Sequence, residues 1–369
     1  MTIPQGNMGR IASIDWMRGI VMILMALDHA SGFFNEGRLF TDSILLYETG
    51  TIFATDQFLT RWITHICAPT FVFLAGTSVA INTIQRRAQG ISNAIIDRDI
   101  LIRGAFIALL DLCVLSLFSG KVVLQVLYAI GISMMLMVLL RRLSTYAILL
   151  FALAIIVGGE MLTVWFWDPE GNVPFWLALT FAPSFGDSLS IIYPFVPWLA
   201  MMMLGWVFGE WLMKRQDSGW SPSRLLMMSG IAALICFVLI RAFDGYGNML
   251  MYLEGDSIVQ WLHVSKYPPS LAYTTLELGL MAVILALFMW LEPKIRVHIN
   301  GPVLVYGQTA LFFYLAHFCV LAGLTVVLSR GGLEQAYLAA LLALILLYPV
   351  CRSYRSLKWR YPQSVLRYM

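Results

Sequence analysis

The chain has 369 residues, of which 60% are hydrophobic and only 12% charged, with a formal net charge of +3 and a mean hydropathy of +0.78. Soluble domains carry about 25% charged residues, so this composition excludes a soluble globular protein. The small net charge argues against a nucleic-acid partner. The five cysteines, Cys67, Cys113, Cys236, Cys319 and Cys351, stand in apolar stretches without a CxxC pair. They indicate neither a metal site nor a disulfide framework and read as small buried hydrophobes.

A membrane span needs about 20 mostly apolar residues. Ten segments meet that need, roughly 14–34, 61–84, 100–118, 122–140, 144–166, 190–213, 225–243, 270–291, 301–328 and 333–351. The expected fold is therefore an all-α polytopic transmembrane bundle of about ten helices. It forms one integral-membrane domain over residues 1–369. The first segment lacks a small-residue cleavage site and reads as a retained span. Loop charge sets orientation. One set of loops carries Arg10, Arg86, Arg87, Arg141, Arg142 and Arg215, with a basic tail ending in Arg367. The opposite side has Arg38, Arg61, Lys121, Lys266 and Arg330 set among Asp42, Glu48, Asp56, Asp168, Glu170, Asp187, Asp244, Glu254 and Asp256. Both termini are expected on the cytoplasmic side of a cell (inner) membrane. Three long outer loops, 35–60, 167–189 and 244–269, are the expected place of substrate selection.

Arg18 and His29 are the most informative pair. Eleven helical steps put them on one face, about 16 Å apart, and Asp15 shares that face. Ionisable groups inside a bilayer are expensive and mark function by default. Asp28 adjoins His29. In the second span, Arg61 lies one turn before His65. Pro69 cannot donate to the carbonyl of residue 65, which leaves that oxygen free. The third span holds Arg103 and Asp111. Gly205 and Gly209 form a GxxxG pattern that suits helix packing. Lys266 and Tyr267 precede Pro268 and Pro269, which can open the eighth span. His317 lies outward in the ninth. The bland readings are a structural hydrogen-bonded histidine, a snorkelling arginine and a carboxylate paired between spans.

A histidine suits general-base work near neutral pH and can also carry an acyl group. No GxSxG elbow and no Walker A sequence occurs, which disfavours a serine hydrolase and an ATP-driven pump. Acyl transfer across the membrane fits. A transporter or flippase for a lipid-linked or small anionic solute is the alternative, since buried charges also serve a solute path.

Five stretches carry a family resemblance: RIASIDWMRGIVMILMALDHA from Arg10, LTRWITHICAPTFVFLAGTSVAI from Leu59, YPFVPWLAMMMLGWVFGE from Tyr193, SKYPPSLAYTTLELG from Ser265 and VYGQTALFFYLAHF from Val305. In this order they resemble the heparan-alpha-glucosaminide N-acetyltransferase catalytic-domain family. The Arg18-to-His29 spacing resembles the arginine–histidine motif of the wider transmembrane acyltransferase superfamily. The resemblance implies an acetyl-CoA or other acyl-CoA donor from the cytosol and a sugar or glycan acceptor outside. The family's lysosomal member has its catalytic histidine in the loop before the second span. Here that loop, 35–60, contains none, so the resemblance assigns His29 through the superfamily motif. It implies His29 as base or acyl carrier, with Asp28 orienting it or tuning its pKa. Arg18, Arg86 and Arg87 would bind the donor, with Arg141 and Arg142 as alternatives for its phosphates. Arg61, His65, Lys266, Tyr267 and His317 would line the acceptor or thioester site. Membrane lipids are the other expected partners; the oligomeric state, a homodimer included, stays open.

Overall fold

The computed structural model describes residues 11–169, 171–214, 221–361, 364 and 366. Arg10, Glu170, Arg215 and Arg367, counted above among the loop charges, lie outside the described residues. The helices run α1 Ala12–Phe34, α2 Thr55–Trp62, α3 Cys67–Ala88, α4 Asn93–Leu110, α5 Ser116–Ser119, α6 Val126–Leu140, α7 Thr145–Phe166 and α8 Phe175–Thr180. They continue as α9 Phe195–Lys214, α10 Pro222–Phe243, α11 Ile258–Leu262, α12 Leu271–Leu291, α13 Pro302–Gln308, α14 Ala310–Leu324 and α15 Leu333–Arg360. The protein is an all-α polytopic bundle. Among the described residues, eight helical segments are long and apolar enough to cross a membrane, and α13 with α14 makes a ninth if that bent pair counts as one. The one expected span left over, the fourth (122–140), is α6, which has 15 residues, short of the 20 or so that a straight crossing takes.

The expected fourth span starts later because its first residues are not helical. Val122–Leu124 form a strand, β1, parallel to β3 Leu189–Ile191, and β2 Ser184–Phe185 pairs antiparallel to β3. β3 likewise takes the first residues of the expected sixth span. Asp111 ties this corner together. It opens a π-helical turn, Asp111–Leu115, and its Oδ2 accepts from the backbone N–H groups of Gln125 at 2.7 Å and Tyr128 at 2.8 Å. These are unsatisfied donors at the start of α6, and a carboxylate is a favourable partner for them. Replacing Asp111 with alanine is expected to cost about 1–2 kcal/mol, read as a lower thermal midpoint of the detergent-solubilised protein. An unchanged midpoint would remove the capping role.

α1 is the central helix and packs against α3, α12, α13, α14 and α15. Its first N–H groups, on Ala12 and Ser13, donate to the Glu292 carboxylate at 2.8 and 3.1 Å. That contact joins the start of α1 to the end of α12. Two glycines let α13 cross α1 backbone to backbone. A Cβ on Gly19 would stand 1.9 Å from the Val303 carbonyl oxygen, and one on Gly307 would stand 1.8 Å from that of Asp15. Gly205 plays the packing part expected of it: a Cβ there would meet the Phe73 carbonyl oxygen of α3 at 1.9 Å.

Between α13 and α14 the chain bends by 103° at Thr309. Irregular backbone inside a bilayer is tolerated only where protein buries it or a cavity receives it. Gln308 holds one side of the bend, donating to Asp15 Oδ2 at 3.3 Å and accepting from Arg355 at 3.0 Å. The other side faces a cavity.

Candidate active site

The cavity has a volume of about 340 Å³. Arg18, Arg103 and Lys358 supply its cations, and Ser78, Asn82, Gln308 and Thr309 add polar groups. Phe71, Ile107, Ile130 and Met134 make apolar wall. Arg18 is held in place by Asp15 at 3.3 Å, by the Leu74 carbonyl at 3.3 Å and by the Ser78 hydroxyl. Gly19, next to Arg18, lets α13 close over that turn of α1. The cavity also reaches Tyr314 on α14, whose ring lies 6.2 Å, edge-on, from that of His29.

His29 itself meets His317. Nδ1 of His29 is 2.6 Å from Nε2 of His317, and His317 Nδ1 lies 3.2 Å from the Phe313 carbonyl oxygen. Phe318 packs on both rings.

Asp28 faces elsewhere. Its Oδ1 accepts from Arg61 at 2.6 Å, Arg38 at 2.9 Å and Thr64 at 3.1 Å, and its carbonyl accepts from Arg38. Arg61 turns its other nitrogens, Nε at 2.8 Å and Nη2, to Asp42 Oδ2. Arg61 thus bridges α1 to the loop after it, with the buried Asp42 and the largely buried Asp28 carboxylates matching its planar fork. His65 Nε2 stands 3.2 Å from Asp42 Oδ1 without hydrogen-bond alignment, and neither ring nitrogen has a hydrogen-bond partner among the described residues. The carbonyl freed by Pro69 has found a donor: the Tyr273 hydroxyl binds the His65 oxygen at 3.0 Å. α2 and α3 are separate helices at this point, with the break at residues 63–66.

The loop before α12 closes this layer. The N–H groups of Lys266 and Tyr267 donate to the Asp42 carbonyl at 2.8 and 3.1 Å. The buried Lys266 ammonium sits 5.3 Å from the Tyr267 ring centre, and the Tyr267 and Tyr193 hydroxyls are 3.4 Å apart. Ser270 then caps α12 through the Tyr273 N–H at 3.0 Å. Burial raises the Asp42 carboxyl, but Arg61, His65 and Lys266 outweigh it and hold Asp42 below the usual carboxylate range.

His263 anchors the same loop. Its Nε2–H donates to the Thr41 carbonyl at 2.8 Å, and Tyr47, Phe53 and Phe58 surround the ring. Burial lowers its pKa against the opposing pull of Thr41 and Asp42. A lowered histidine contributes stability that is fully present above its unfolded value, about 6.5, and is lost as pH falls through the folded value. Thermal midpoints should therefore drop on acidification from pH 7 to pH 5, and the drop should be shallower in His263→Gln. Equal slopes in the two proteins would contradict this.

The structure brings Arg18, Asp28, His29, Arg61, His65, Lys266, Tyr267 and His317 into one connected region. Arg86 and Arg87 lie apart from the cavity and pair with Asp99 at 2.8 Å and Asn93 at 2.9 Å. Arg141 and Arg142 pair with Asp97. Arg103 and Lys358 take the places at the cavity that sequence reasoning did not assign. Arg103 had a signal, a cation inside an apolar span; Lys358 had none beyond a basic tail. Asp42, which organises the outer layer, read only as loop charge.

The polytopic bundle thus holds a cation-bearing cavity that ends at Tyr314, beside a pair of histidines. The sequence model of the family described as heparan-alpha-glucosaminide N-acetyltransferase, catalytic, matches residues 10–242. The chain belongs to that family, whose activity is acetyl transfer to sugar acceptors by a membrane protein. The match stops short of Ser265 and Val305, where two of the resembling stretches begin. No curated protein matches the chain.

Proposed function

We propose that the protein moves an acetyl or other acyl group from a coenzyme A thioester at its basic end to a sugar or glycan acceptor at the opposite end. The loop-charge rule puts the basic end, with both termini, in the cytosol and the protein in the cytoplasmic membrane. The cavity carries this reading. Its three cations suit phosphate oxygens, its apolar wall suits the carbon chain of a pantetheine arm, and it leads to Tyr314 beside His29. Arg86 and Arg87, at the same end, add to the positive field that draws an anionic donor.

His29 then acts as the base. It takes the proton from the acceptor hydroxyl or amine as that atom attacks the thioester carbonyl carbon. The carbon–sulfur bond breaks, the thiolate leaves, and the imidazolium returns the proton to sulfur. The products are an acylated acceptor and free coenzyme A. In a two-step variant the same nitrogen takes the acyl group first. The buried Lys266 ammonium is the cation assigned to the oxygen that gains charge in the tetrahedral intermediate. Tyr267 and His65 are assigned to the acceptor, while Arg61 and Asp28 hold the loop that receives it.

Arg103→Ala tests the donor site. A charge-assisted hydrogen bond contributes about 1.5–3 kcal/mol, so acetyl-CoA affinity should fall roughly 10–100-fold in an isotherm on purified protein. Unchanged affinity would remove Arg103 from the donor site.

The bend at Thr309 favours a second reading, since broken helices line the sites of transporters. Release of free thiol from acetyl-CoA separates the two, because a transporter leaves the thioester intact.

A further inference from the structure

The histidine pair has a direction. A carbonyl oxygen can only accept, so the 3.2 Å contact between His317 Nδ1 and the Phe313 oxygen puts a hydrogen on that nitrogen. In neutral His317, Nε2 then carries a lone pair. His29 Nδ1 stands 2.6 Å from it and must donate. The ring centres are 4.9 Å apart with the planes tilted by 20°. Two ring radii added to the nitrogen separation account for nearly all of that distance, so the rings meet edge to edge, as a hydrogen bond requires, and not face to face.

We infer that His317 is a positioning residue that fixes the tautomer of His29, with hydrogen on Nδ1 and the lone pair on Nε2. Nε2 has no hydrogen-bond partner among the described residues, and His29 is only partly buried. It is the nitrogen left to accept a proton. When it does, the Nδ1–H bond to neutral His317 becomes charge-assisted and stronger. The carboxylate that usually orients such a ring is absent from this role: Asp28, the adjacent acid, is held by Arg38, Arg61 and Thr64. His317 is itself locked by full burial, by the Phe313 carbonyl and by the packed Phe318 ring. A wrong tautomer would present Nε2–H to the acceptor and could not take its proton.

The catalytic meaning of the pair rests on the acyl-transfer reading, but the tautomer does not, and the test separates them. Nitrogen NMR of histidine-¹⁵N-labelled wild type in nanodiscs at pH 7, assigned by difference from His29→Ala, should show His29 Nε2 unprotonated and Nδ1 protonated. In turnover, His317→Phe keeps an aromatic ring and removes the acceptor, and should lose about 10²–10³-fold in kcat, within the range of general-base effects. Acetyl-CoA affinity should stay within about twofold, since the pair acts on chemistry rather than on uniform binding. His317→Gln returns an acceptor oxygen to His29 Nδ1–H and should recover most of the loss. A protonated Nε2 in wild type, or full turnover in His317→Phe, overturns the inference. If the expected tautomer appears while wild type releases no thiol, the inference stands and the acyl-transfer reading falls.

Discussion

Replacing His29 with alanine is expected to lower thioester turnover by about 10²–10⁴-fold while acetyl-CoA binds within about twofold of wild type. The separation follows from where the groups lie. The cations of the cavity, Arg18, Arg103 and Lys358, are one set of side chains. His29 is another, about three turns along α1 from Arg18, touching His317, Tyr314 and Phe318. A loss of both binding and turnover would mean that alanine had collapsed α14 onto α1. Retained turnover with retained binding would move the base to another residue, and His65, whose two nitrogens are buried without hydrogen bonds among the described residues, would be the next candidate.

The second large effect is on stability. Arg61→Met is expected to destabilise the protein by about 3–5 kcal/mol, the cost of breaking a buried ion pair by removing one partner. Arg61 is 9% exposed as a side chain, Asp28 14% and Asp42 5%. Without the guanidinium, Asp28 keeps Arg38, but among the described residues Asp42 keeps only the neighbouring His65 and Lys266. Adding Asp42→Asn to Arg61→Met should recover part of the loss, because an amide costs less to bury than an unpaired carboxylate. The check is the thermal midpoint and the detergent-resistant fraction of the three proteins. If Arg61→Met melts like wild type, the bridge contributes nothing. If the second substitution adds its own loss independently, the two residues are not coupled.

Much of this was readable in the chain. The first span marks a polar face by helical periodicity alone, because Asp15, Arg18 and His29 are polar in an apolar helix. Pro69 announced a free carbonyl, and Tyr273 supplies the donor. Gly205 announced a close helix crossing. What the chain did not announce depends on contacts between distant elements. His29 and His317 are 288 residues apart, and no local pattern pairs them. The sharp bend at Thr309 has no proline or glycine at the break itself. It is held by Gln308, Asp15 and Arg355, which come from three helices. The outer cluster depends on Asp42, a loop residue whose importance comes only from being folded under Lys266 and against Arg61. Span ends failed for the same reason: Val122–Leu124 is apolar enough for a helix but finds a strand partner in Leu189–Ile191. The inner arginines were spread evenly by sequence; in the fold Arg86 and Arg141 turn to Asp99 and Asp97, whereas Arg18 and Arg103 line the cavity.

The most direct test of the central claim uses sealed proteoliposomes with one-sided protein orientation. Labelled acetyl-CoA is supplied to the face bearing the termini, and a mixture of amino sugars and neutral sugars is trapped at the other. The account predicts labelled acetylated sugar on the far side and free thiol on the near side with wild type, and neither with His29→Ala. It also predicts no product when donor and acceptor are exchanged across the membrane. Thiol release that is equal from both faces, or equal in wild type and His29→Ala, would contradict it.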